Sequence, residues 1–553
     1  MKKINEYIKY GLFALLMIFA GSCDYLEYDE TSYNRKEDVF EDFGRTKSFL
    51  TAIYAKLPTD FNSIDGAMRS SATDEAEHVW DLSNVQKMND GSWTAIQPLD
   101  NVWGEMYEGI RAVNLFLTET EGQQFEEEKW NEDYAEMMEQ FNNYPYEARF
   151  LRAFFYFELA KRYKNVPLIT EVLTPEEAQQ VEQASFEDVV TFIVSECDAI
   201  AAELPDDYGN FSSAQETGRA TSGAALALKA RTLLYAASPL HNTSSNLTLW
   251  EEAASAAGTV ILEGNYNLEP DYKNVVNNLT SSELILGRRQ GQSNDFERRN
   301  FPIGYEGGNT GTCPTQNLVD SYEMIETGLP INDPASGYDP IFPYSGRDPR
   351  LAETVIYNNS NWKGQSVEIY YGGANAQPKP NATQTGYYLK KYVIEDINLD
   401  PTNTTQRIHT WVLFRYGEVL LNYAEAMNEV YGPENPGSHE MTALEAVNMV
   451  RQRVGMPGFP GGMTQGEFRE KLRNERQVEL AFEDHRFWDV RRWKIGNQTT
   501  EIYAVNVSRN PYGGFAYEKV LLEERDFEDY MNLYPIPQAE IYKNSNLEQN
   551  PGW

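Results

Sequence analysis

Apolar side chains recur at helical spacing through two long stretches of the chain, from Arg45 to about Ala237 and again from Val412 to about Trp493. Between Ser185 and Leu204, the residues Phe186, Val189, Val190, Ile193, Cys197, Ile200 and Leu204 fall on one helical face, and Ser185 stands where an N-cap belongs. Cys197 is therefore assigned to the core. The segments Trp103–Leu117, Tyr146–Tyr163 and Thr221–Ala237 repeat the pattern, the last being rich in Ala as close helix packing requires. Trp103 lies on such an apolar face and is also placed in the core. Between the two blocks, over residues 264–411, the pattern gives way to Gly, Asn, Pro, Thr and Tyr, with short β-like runs at Ser366–Tyr371 and Tyr387–Val393. The pattern predicts a mostly α fold: a helical scaffold over about 45–263 and 412–553, carrying a loop-rich excursion with small β elements over about 264–411. Long loops on a rigid scaffold are where binding sites concentrate. No fixed-period repeat is present, although paired Ala-rich and aromatic helices permit a degenerate tetratricopeptide-like reading.

The first residues depart from this pattern. Lys2, Lys3 and Lys9 precede the apolar run Gly11–Ala20, and Ala20-Gly21-Ser22 stand before Cys23, which reads as a signal peptide over 1–22. A run of ten apolar residues rises only about 15 Å as a helix, half of a bilayer core, so it cannot serve as a permanent span. Cys after small residues resembles a bacterial lipobox, which makes Cys23 the expected lipid anchor and residues 23–44 a lipidated linker. Asp24, Glu27, Asp29 and Glu30 follow at once, a cluster resembling the signal that sends lipoproteins to the outer cell face.

Composition narrows the function by exclusion. A formal charge of -37 removes nucleic acid as a ligand, since phosphate binding needs a basic footprint. Three cysteines, one of them the expected anchor, offer no disulfide framework. Five histidines without HExxH or a ligand pair at helical spacing give no reason to expect a metal or cofactor. The positive signal is aromatic: 35 Tyr, 26 Phe and 10 Trp. Sugars stack their C–H faces on such rings while amides and charged groups take the hydroxyls.

The C-terminal part is more specific. Arg473–Trp493 reads RNERQVELAFEDHRFWDVRRW and the chain closes with LYPIPQAEIYKNSNLEQNPGW. Both resemble the SusD/RagB family, as do FRYGEVLLNYAEAMNEV, AVNMVRQRVGMP, RDPRL at Arg347–Leu351 and the helices beginning at Glu147 and Gly218. Two positions depart from that pattern: Asp484 stands where Gly is common, and Trp553 where Tyr is more usual. The resemblance implies one large helical domain over 45–553 with tetratricopeptide-like hairpins. It also implies a surface lipoprotein of the cell outer membrane that captures oligo- or polysaccharide, without cleaving it, for a SusC-like TonB-dependent transporter. Peptide or glycopeptide capture, as in the RagB branch, is the alternative, and a surface glycosidase a further one. The acids Glu475, Glu479, Glu483 and Asp489 could suggest the glycosidase. However, Glu475 and Glu479 are spaced i,i+4 among many Arg, which points to an ion-pair network that would lower, rather than raise, their pKa values.

Family members place ligand contacts before the Trp103 helix and in the central loops. The corresponding candidates are Asp60, Asn62, Asp74, Glu75, Trp80 and Trp93 in the first region, and Arg288, Arg289, Phe296, Tyr305, Cys313, Trp362, Tyr370 and Tyr371 in the second. Trp80 and Trp93, set among Asp, Ser, Asn, Gln and Gly, are the expected sugar platforms, and Cys313 is either a small apolar wall of the pocket or simply structural.

Overall fold

The computed structural model describes residues 36–208 and 218–553. The signal peptide and the expected anchor Cys23 lie outside the described residues. Helix begins at Lys36–Phe40, within the span read as linker, and Phe40 is buried.

The scaffold is built from long helices: α1 (Phe43–Tyr54), α2 (Trp103–Glu119), α3 (Tyr134–Tyr163), α4 (Phe186–Ala201), α5 (Ser222–Ala237), α6 (Leu247–Glu263), α7 (Tyr416–Tyr431), α8 (Ala443–Arg453), α9 (Gln465–Glu479) and the short α10 (Arg486–Arg492). Neighbours in sequence pack together: α2 on α3, α4 on α5, α5 on α6 and α7 on α8, with α6 bridging to α7. These are the helical hairpins anticipated. The reasons are local. Ser185 caps α4 by accepting from the Asp188 amide, and Thr221 caps α5 by accepting from Ala224. Thr442 with Glu445 and Thr464 with Glu467 form complete capping boxes on α8 and α9. On α2 the face carrying Trp103, Met106, Ile110, Val113 and Phe116 is buried. On α3 every residue from Phe150 to Tyr163 is buried, so its second half runs through the core rather than over it. Cys197 is fully buried, as expected.

Among the described residues the sheets are five antiparallel pairs. β1 (Ala76–His78) pairs with β3 (Thr312–Pro314), and β2 (Leu284–Ser293) with β4 (Arg407–Arg415). The second pair crosses the expected boundary at residue 411, because β4 runs directly into α7. A long hairpin, β5 (Glu501–Arg509) with β6 (Phe515–Glu524), stands within the span expected to be helical scaffold. The two β-like runs shrink to two-residue ladders at Gln365–Ser366 and Tyr388–Leu389, with neighbouring amides bonding elsewhere, Tyr371 to Val507 on β5 and Lys390 to Thr354.

A buried lattice of charges ties these parts together. Arg350, from the RDPRL segment, reaches Glu475 at 2.6 Å and Glu479 at 2.8 Å on α9. Arg415 reaches Glu479 and Glu483, both at 2.7 Å, and Arg451 reaches Glu475 at 2.6 Å. Burial would raise the Glu479 pKa, but Arg453, Arg415 and Arg350 outweigh it and hold the carboxylate well below its usual range. The i,i+4 acids are thus structural, as their spacing among arginines indicated. Asp484 sits at φ 63°, the left-handed region that explains a preference for Gly there, and its carboxylate pairs with Arg69 at 2.9 Å.

Candidate functional site

Most of the candidate residues are placed inside the fold. Asp60 accepts the Arg69 amide at 2.9 and 3.0 Å and lies 3.5 Å from its guanidinium. Arg69 also holds Asp100 at 2.8 Å, which Arg162 approaches at 3.1 Å. Asp74 forms a two-pronged pair with Arg486 at 2.8 and 2.7 Å. Glu75 is buried beside it, and burial pushes its carboxyl up to about 8. Asp74 and Glu75 fasten the segment before α2 onto α10 and the turn ahead of it, while Asp60 holds Arg69 within that segment, so all three are corrected from ligand contacts to structural anchors.

Trp93 is corrected more sharply. It is 2% exposed, with Tyr534 at 5.1 Å and Trp553 at 4.4 Å between ring centroids, both edge-on. The C-terminal residue therefore closes a hydrophobic cluster over a ring expected to face solvent. Trp362 is 1% exposed and packs edge-on to Phe301 at 5.9 Å. Tyr305, half-buried, donates to the Trp362 carbonyl at 3.2 Å. Phe296 packs against Phe61 at 5.0 Å in the core. Cys313 is buried in β3, where burial pushes its thiol up to about 12. Arg288 spends its guanidinium on the carbonyls of Leu57 and Ala55. Tyr370 stacks at a tilt on Phe515, 5.5 Å away, and exposed Tyr371 donates its amide to Val507, so both belong to the surface of the β5–β6 hairpin.

Of the candidates ahead of α2, Trp80 stays accessible, 42% exposed beside a cavity of about 270 Å³. Asp65, Gly66, His78, Leu82, Ser83, Arg299, Asn309 and Gly311 complete its lining. The geometry follows from the short β1–β3 ladder. His78 lies opposite Thr312, the ladder continues through Val79 N to Gly311 O at 3.0 Å, and Trp80 is delivered at its end. The Trp80 Nε1 donates to the Asn309 carbonyl at 3.3 Å, which orients the ring. The opposite wall is a turn in which Asp65 and Gly66 take φ 49° and 91°. Ser83 Oγ donates to the Asp65 carbonyl at 3.1 Å and clamps that turn to the Trp80 segment. Asn300 joins both walls: it donates to Asn62 Oδ1 at 3.1 Å and accepts the Thr312 amide at 3.0 Å. Asn62 thus supports the cavity from behind.

The chemistry of the lining is polar on one side and aromatic on the other. His78 is only 3% exposed and its Nδ1 has no hydrogen-bond partner. Burial outweighs the opposing pull of Asp65 and, with a smaller push from Arg299, brings its pKa down to about 4, so the imidazole is neutral at physiological pH. Wider clefts exist, of about 720 Å³ beside Tyr272 and Trp362 and about 580 Å³ beside Trp250 and Trp493. The rings named there are all buried and offer no open face. His78, Asp65, Arg299 and Asn309 were not singled out from sequence. Only the Asp-Gly turn at 65–66 carried a local signal.

Comparison with known proteins places the chain in a family. The SusD family model matches residues 282–553, and a second model, described as starch-binding associating with outer membrane, matches residues 24–234. A SusD-like protein of Bacteroides fragilis superposes with a TM-score of 0.77 at 28% identity, over 94% of this chain and 98% of that one. A SusD-like carbohydrate-binding protein from the same species gives 0.73 at 26% identity, over 92% of this chain and all of that one. SusD-like protein P2 of Formosa agariphila is 26% identical over 423 residues, 74% of this chain and 73% of its own length. The chain belongs to the SusD/RagB family.

Proposed function

We propose that this protein is a lipoprotein of the outer cell surface, anchored through Cys23, that captures oligo- or polysaccharide at the Trp80 cavity and delivers it uncleaved to a SusC-like TonB-dependent transporter. The observation that carries the reading is the half-exposed Trp80 ring, fixed by its bond to Asn309 beside a lining of polar groups. A flat apolar face next to hydrogen-bonding groups is what a pyranose ring requires. Capture rather than cleavage is supported by the state of the acids. A glycosidase needs two carboxyls free to exchange protons across a cleft, whereas Glu475, Glu479, Glu483 and Asp489 are each locked to arginine. Among the described residues no helix is long and apolar enough to cross a membrane, and the description "associating with outer membrane" accords with attachment through an anchor.

The test is calorimetry of the purified protein against a polysaccharide panel, with Trp80→Ala alongside and product analysis after prolonged incubation. Binding that weakens on substitution, with the glycan recovered at full length, is the expected result. Shortened product, or binding indifferent to Trp80, would overturn it.

A further inference from the structure

Deepening the glycan-capture reading, on which it rests, we propose that the Trp80 cavity takes an acidic glycan, one whose sugar carries a carboxylate or a sulfate ester, with Arg299 as the partner of the anion.

The argument begins from how this chain uses arginine. With 84 acidic against 47 basic residues, carboxylates are in excess, and buried guanidiniums such as Arg69, Arg350, Arg415 and Arg492 each hold one or more of them. Arg299 does not. Among the described residues its guanidinium has neither an ion pair nor a hydrogen bond, although it lines the cavity. Its side chain is exposed, and it is seated against a glycine. It lies across Gly66, where a Cβ would come within 2.7 Å of Nη1, so the absence of a side chain at that left-handed position makes room for it. Its backbone is fixed as well, because a Cβ on Gly311 would meet the Arg299 carbonyl at 2.4 Å. A planar guanidinium presents a fork of N–H groups matched to the paired oxygens of a carboxylate or sulfate.

A second, independent feature points the same way. His78 lines the same cavity, is almost fully buried, and leaves Nδ1 without a partner. A buried polar atom of this kind is ordinarily satisfied, and a ligand group can supply what the protein does not. Asp65 is the cavity's one carboxylate. It is committed to the Asn84 amide at 3.1 Å and forms no ion pair with Arg299. Trp80 then stacks on the neutral face of the sugar while Arg299 takes its acidic substituent.

The experiment is calorimetry on the purified protein at about 0.15 M salt, where the Debye length of about 8 Å screens the chain's overall negative charge but spares a contact pair. The probes are matched polysaccharides over several backbones: uronates beside their carboxyl-reduced forms, and sulfated galactans beside their desulfated forms. The expected result is binding of one acidic member, at least tenfold weaker once its acidic group is removed, with the two arms telling carboxylate from sulfate. Arg299→Gln should lose the same factor with an unchanged melting temperature. Arg407→Gln, which removes an exposed arginine outside the cavity lining, should lose nothing. Equal binding of a neutral partner, or an equal loss in Arg407→Gln, would overturn the acidic assignment while leaving capture intact. Failure of every glycan, neutral and acidic, would overturn the capture reading and this inference with it.

Discussion

Trp80 and Trp93 are thirteen positions apart in similar polar surroundings, yet one ring lies half-exposed on a cavity and the other is sealed in an aromatic cluster. The same contrast holds for charge. Arg299 has no partner among the described residues, while Arg415, of the same chemistry, holds Glu283, Glu479 and Glu483. Residue type and local polarity do not separate binding from packing here. What separates them is whether a distant part of the chain arrives to seal the side chain, as Trp553 does for Trp93 and no described residue does for Trp80.

The comparison is open to attack at each of its members. The largest effects should come from the covered set. Arg415→Met leaves three buried carboxylates short of their cation and should lower unfolding free energy by about 3–5 kcal/mol, read by chemical denaturation. Trp93→Ala opens a void against Tyr534 and Trp553 and should cost a similar ~3–5 kcal/mol, without changing the affinity of the protein that remains folded. Unchanged stability together with lost glycan binding would exchange the roles of the two tryptophans.

Glu75→Gln tests the buried acids through pH. Burial raises this carboxyl from an ordinary 4.5 to about 8. The folded state therefore keeps a proton that the unfolded chain releases across that window. Stability falls with rising pH there by roughly 1.4 kcal/mol per unit, is spared below the window, and levels off above it. The amide cannot ionise, so the variant's advantage should grow between about pH 5 and about pH 8. A constant difference between the two proteins would show that Glu75 is not held protonated.

The smallest effect on the fold, and the clearest on function, belongs to the uncovered set. Trp80→Ala should leave unfolding free energy within about 0.5 kcal/mol while weakening glycan binding by about 1–2 kcal/mol.

Several features were legible because their causes are local. The Phe186–Leu204 periodicity and its Ser185 cap, the Thr221 helix and the burial of Trp103 all follow from residues within a few turns of one another. The i,i+4 acids of α9 were legible as ion pairs for the same reason, although their partner Arg350 lies 125 and 129 positions away from them. The candidate site was legible as a region rather than as a set of residues. Asp74 and Arg486 are 412 positions apart, and no local pattern announces that the pair will meet. His78 and Arg299 were missed because each becomes part of a cavity only when β1 and the short helix Asp295–Asn300 come together.

The sequence by itself therefore determined the helical scaffold and the family, because periodicity, capping and motif are short-range properties, and it pointed to two stretches of chain that the candidate cavity draws on. Only the tertiary structure decided which side chains within those stretches are spent on the core and which face the cavity. Burial is settled by the segment that packs on top, and for Trp93 that segment is the last residue of the chain.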